Sequence, residues 1–199
     1  MEYLTLLLLL ALAVHHLNRR GQRERTALLA THLRPLNIEQ HMQRITESLM
    51  RALAETDPER QAQAWAASAG TEQRLAQDFR QLAGSFAQVP APQARAFKLA
   101  LPWIDQLSPR ATFDMRRALA LHADGLERVV HNVDGLAPKD RAFRLMGEMF
   151  LMQHTCHWFC RSRTIASARM LAQHQTSYDK ALQAVSPQTR GAYLAVVQG

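Results

Sequence analysis

Ile38-Glu39-Gln40-His41-Met42-Gln43-Arg44-Ile45-Thr46-Glu47-Ser48-Leu49-Met50-Arg51-Ala52-Leu53 is the stretch that decides the fold class. Ile38, Met42, Ile45, Leu49 and Leu53 recur at intervals of three and four. At about 100° per residue that lines them up on one face of an α-helix, with charged and amide side chains opposite. A helix over about 37–55 with one apolar stripe must press that stripe against a neighbour. Ile38, Met42, Ile45 and Leu49 are therefore the expected partner-binding or self-association surface.

Outward from this helix, breakers fall where helices would start and stop. On its C-terminal side, Thr56-Asp57-Pro58-Glu59 combines a capping residue, a proline for the first helical position and an acid in the first turn. The restarted helix carries Trp65, Leu75, Phe79, Leu82 and Phe86 through about residue 87, with Gly70 as a point of interruption. Val89-Pro90-Ala91-Pro92 reads as a linker. A short helix is expected next, ended or kinked at Pro102. Ser108-Pro109 should cap a helix over about 109–131, with Met115, Leu119, Leu126, Val129 and Val133 on one face. After a turn at 133–138, one long helix is expected from about 138 to 184, and Ser186-Pro187 starts a short terminal one. Ala, Leu, Gln, Glu and Arg dominate, and no stretch alternates like a strand. The fold class is all-α: an N-terminal apolar helix followed by an irregular multi-helix bundle with one long C-terminal helix. The expected units are 1–17, 18–88 as a stalk or hairpin, and 92–199 as the bundle domain.

On the N-terminal side, nothing stops a helix before Pro35. It contains a dense basic cluster, Arg19, Arg20, Arg23 and Arg25, preceded by His15-His16-Leu17-Asn18 and by the uncharged run Tyr3–Val14. The apolar run of about 15 residues is roughly 22 Å long as a helix, against a bilayer core of about 30 Å. Three readings compete for it. A cleaved signal peptide lacks its basic start and its small-residue cleavage site. A core helix apolar on every side would need partners all round. A membrane anchor fits the composition, and the arginines after it place residues 18–199 on the cytoplasmic side with the N-terminus out. Arg19, Arg20, Arg23 and Arg25 would then bind anionic lipid head groups, with His15 and His16 at the interface.

The 199 residues carry 24 basic against 17 acidic side chains, a formal charge of +7. Such a balance favours acidic partners, and anionic lipid is the first of them. Nucleic acid is disfavoured, because the other arginines are scattered among acids and no basic stripe with interleaved aromatics appears. The abundance of Ala, Arg and Leu is the usage of a GC-rich bacterial genome, which points to a bacterial inner membrane. Two cysteines four residues apart do not make a secreted disulfide framework.

One stretch has unusual chemistry. Met146, Met149, Gln153, Cys156, His157 and Cys160 would share an arc of one helix face. Thioethers, thiols and an imidazole are soft ligands, so Cys156, His157 and Cys160 are candidate ligands for copper(I) or zinc, with His122, His131 or His174 as a distant fourth. A Met/Cys stripe at helical spacing is more commonly ordinary core, and a lone His on such a face a satisfied core histidine. The standard catalytic and phosphate-binding motifs are absent. The expectation is a non-catalytic, membrane-anchored interaction or assembly protein, an accessory or structural subunit of an inner-membrane complex holding a protein partner. A metal-handling or redox protein using the 146–160 face is the alternative.

Overall fold

Prolines and capping side chains cut most of the chain where their chemistry dictates. The computed structural model describes residues 2–98 and 111–199. α1 (Glu2–Leu33) runs unbroken until Pro35. α2 (Ile38–Ala54) follows. α3 (Pro58–Phe86) starts where the Asp57 carboxylate accepts hydrogen bonds from the amides of Glu59 and Arg60, with Pro58 at the head of the helix. Such a cap is worth about 1 kcal/mol. Gly70 does not interrupt α3.

Three boundaries differ from the sequence reading. First, the turn after Val89 leads into β1 (Arg95–Phe97), which pairs antiparallel with β2 (Thr112–Asp114), Ala96 opposite Phe113. Strands this short leave no periodic signal, and what holds them is burial of Ala96 and Phe113. Second, α4 (Met115–Val130) begins later than expected, capped by Asp114, whose carboxylate accepts from the Arg116 amide. Val133 lies beyond its end and is exposed. Pro102 and Ser108-Pro109 fall outside the described residues.

Third, the expected long helix is three: α5 (Pro138–Cys160), α6 (Arg163–His174) and α7 (Tyr178–Ala184). Ser162 accepts from the Ile165 amide and Ser177 from that of Lys180, each opening a new helix. Gln175, at φ 49°, turns the chain through the left-handed region between them. The capping serines were present in the sequence, but good helix formers around them hid the breaks. α8 (Pro187–Gln198) closes the chain, capped by Ser186.

α5 is the central element. It touches α1, α2, α4, α6, α7 and β1, and its buried residues lie all round it. Gly147 permits a close approach of α7, since a Cβ there would stand 2.7 Å from that of Ala184. α2 and α3 form a hairpin packed on α4 and α5. One apolar core runs from Leu29 through Val197, joining the 18–88 stretch to the 92–199 stretch. A side-chain ion pair bridges α3 and α5: the fully buried Glu72 pairs with Arg141, which also donates to the carbonyls of Val129 and Val130 at the end of α4.

Candidate functional site

The N-terminal half of α1 stands clear of the body. Leu6, Leu7, Leu8, Leu9 and Leu10 are consecutive, so together they sample the whole circumference of the helix, and each is between 57% and 63% exposed. Only from Leu28 and Leu29 onward does α1 join the core. No described helix is long and apolar enough to cross a membrane. The exposed stretch 3–14 is about 18 Å long at 1.5 Å per residue.

The basic cluster next to it divides in two. Arg19 and Arg23 are exposed, and Arg20 reaches Glu24 at 2.9 Å on the open surface, a pair of little net energy. Arg25 belongs to the body instead. Its Nε donates to the Phe159 carbonyl at 2.7 Å, and its guanidinium lies 4.8 Å from the centre of the Phe97 ring. Burial lowers its pKa. Helical periodicity turns Arg25 inward while Arg19, Arg20 and Arg23 face out, so of the four arginines only these three remain on the open surface.

The stripe Ile38, Met42, Ile45 and Leu49 is covered by this chain itself. All four are buried, against α3 and α5. An amphipathic face needs a partner, and in this fold an intramolecular one supplies it.

Cys156, His157 and Cys160 line a common cavity of 270 Å³ where α5 meets α1, α2 and α6. Among the described residues no three His, Cys, Asp or Glu side chains converge as a metal-ligand set. Burial raises both thiol pKa values, most strongly at Cys156, so neither is a ready thiolate. The His157 imidazole is held down at about 4 by burial and by Arg169, so it is neutral near pH 7. Met146, Met149 and Met152 are core residues. Of the distant histidines, His131 is exposed on the surface, while His174 donates from Nε2 to the Gln153 Oε1 at 2.7 Å and stacks on Phe150 at 4.0 Å.

His122 points elsewhere. Its Nε2 lies 2.9 Å from the Thr155 hydroxyl, which gives its single proton to the Leu151 carbonyl at 2.8 Å. The hydroxyl must therefore accept from His122, which assigns the Nε2–H tautomer. The ring is fully buried and its pKa falls to about 3, through desolvation first and His154 second. His15 and His16 are exposed on α1.

Thr26, Leu29 and Leu33 of α1, Glu39 of α2 and Arg169 of α6 were not marked by any sequence motif, yet they complete the cavity around the cysteine face. They lie on separate helices, and only tertiary packing brings them to one place. No protein-family model matches this chain, and no curated protein and no solved structure proved similar to it.

Proposed function

We propose that this protein is a membrane-associated helical assembly protein of the bacterial inner membrane, with residues 3–14 inserted among lipid tails and its helical body held at the cytoplasmic surface to bind a protein partner. The observation that carries this reading is the exposure of Leu4, Leu6–Leu10 and Leu12 on every side of one helix. A protein groove would cover one side of such a helix, whereas lipid covers all sides at once. The gain is large, because each leucine side chain removed from water contributes about 1.5–3 kcal/mol.

The neighbouring residues agree with it. Arg19, Arg20 and Arg23 begin one turn past His15 and His16, where a helix leaving lipid meets the head groups. Each cation near an anionic leaflet contributes about 1 kcal/mol. At about 18 Å the exposed stretch reaches little more than halfway through a core of about 30 Å. Insertion to that depth does not need a full span.

Vesicle flotation of the full chain tests this reading. The protein should float with vesicles containing anionic phospholipid, and bind neutral vesicles more weakly. Leu7→Arg with Leu10→Arg should leave it in the aqueous fraction with its helix content unchanged. Arg19→Gln, Arg20→Gln and Arg23→Gln together should weaken binding to anionic vesicles about a hundredfold. Wild-type protein that stays in the aqueous fraction with both vesicle types overturns the reading.

A further inference from the structure

The cavity beside the cysteine face has walls of two kinds. Leu29 and Leu33 from α1, Met42 from α2, Phe79 from α3 and Met152 from α5 make an apolar interior. Phe79 and Met152 are each 1% exposed, so they form its depth. Arg161 and Arg169 are exposed and stand at the rim. Arg161 reaches Gln22 at 3.1 Å, while Arg169 joins no ion pair among the described residues. The lining holds one carboxylate, Glu39, against these two guanidinium groups. Between rim and depth, the buried His157 Nε2 meets no hydrogen-bond partner. A buried ring nitrogen left unpaired forfeits a hydrogen bond that a ligand group would restore.

From these observations we propose that the cavity binds a single-chain amphiphile with an anionic head, of the medium-chain fatty carboxylate class. The tail lies along Leu29, Leu33 and Met42, with Phe79 and Met152 packed behind them, and the carboxylate meets the free Arg169 fork at the rim, within reach of His157. Guanidinium groups recognise carboxylates by two parallel hydrogen bonds. A volume of 270 Å³ lies just below the usual ~300–1,000 Å³ range of small-ligand pockets, which suits one short chain and not a two-chain lipid. A neighbouring hollow of 440 Å³ shares Glu39, Met42, Gln153, His157 and Arg169 and gives the head group a solvated approach. A cationic amphiphile would meet two guanidinium groups against one carboxylate in the cavity itself, the second carboxylate, Glu47, lying out in the neighbouring hollow. The site does not depend on the membrane reading, since none of its residues lies in 3–14.

The full chain in neutral-lipid nanodiscs is dialysed against radiolabelled decanoate, with empty discs as the blank. One saturable site per chain is expected. Occupancy should also slow alkylation of Cys156 and Cys160 by N-ethylmaleimide at least fivefold, read residue by residue by mass spectrometry. Arg169→Ala, a surface change, should weaken decanoate binding at least tenfold, and Arg169→Lys should restore part of it. Ala30→Trp, placed on the exposed side of α1 where it lines the cavity, should abolish binding without loss of helix content. Decyltrimethylammonium should not compete. Binding that is absent, unsaturable, equal for the cationic amphiphile, or indifferent to Arg169→Ala overturns the proposal.

Discussion

The Glu148 carboxylate on α5 accepts a hydrogen bond from the backbone amide of Ser186, 3.0 Å away, at the head of α8. Its second oxygen is buried without a partner. Burial, offset in part by the Ser186 amide, pushes its pKa up to about 7 from an ordinary 4.5. Between those values the native state holds a proton that the unfolded chain has released. Stability from this group is therefore full below about pH 4.5 and lost as pH rises through about 7. Glu148→Gln should remove that dependence. The wild type should lose up to about 3 kcal/mol relative to the variant between pH 4.5 and 8, read from urea midpoints at each pH. Parallel curves for the two proteins would refute it.

His122 acts in the opposite sense. Its folded pKa is depressed to about 3, so its contribution is present above pH 6.5 and is lost as pH falls toward 3. His122→Gln keeps a donor for Thr155 but does not titrate. Its acid unfolding should shift to lower pH, sparing several kcal/mol of the wild type's loss between pH 6.5 and 3. Nitrogen NMR of the wild-type ring should show the neutral Nε2–H tautomer down to pH 5.

Gly125 and Gly70 should respond to alanine with opposite signs. A Cβ at Gly125 would stand 2.6 Å from both Glu148 Oε2 and Thr189 Oγ1, in the tight α4–α5–α8 contact. Gly125→Ala should cost about 1–3 kcal/mol through overpacking. Gly70 lies in the middle of α3, and a methyl group there would meet nothing within 4 Å. Gly70→Ala should stabilise by about 0.5–1 kcal/mol through helix propensity. Chemical denaturation of both variants checks the pair.

Arg141 covers the charge of Glu72, which is fully buried and also takes a 2.6 Å hydrogen bond from Ser68. Arg141→Ala strands that charge and the α4 carbonyls, and should cost about 3–5 kcal/mol. Adding Glu72→Gln should recover a large part of the loss. Additive single and double effects would show that the two residues are not coupled.

Local chemistry carried much of the fold. The 38–53 stripe, Pro35, Asp57-Pro58 and Ser186-Pro187 each state their element in a few residues, because periodicity and capping act over one or two turns. The breaks at Ser162 and Ser177 were weaker signals of the same kind, masked by helix formers on either side. The β1–β2 pairing was not legible, since three-residue strands exist only through what buries them. The candidate sites divide along the same line. The all-round apolar character of the run 3–14 is visible in the residues themselves, but not whether anything covers it. The inward turn of Arg25 onto Phe159, and the meeting of Arg169 and Leu29 with Cys156, depend on which helices cross α5.

By itself, then, the sequence determined an all-α chain, the positions of most helix ends and the one segment with no polar face. Those are properties of neighbours in the chain, set by hydrogen bonds and side-chain spacing within a few residues. Only the tertiary structure decided which faces are spent. The 38–49 stripe is consumed by α3 and α5, the methionines of α5 by the core, and Arg25 by Phe159, whereas the leucines of α1 remain uncovered. The physical reason is that burial is a property of the packed whole: identical apolar patterns become core or surface according to what the fold lays against them.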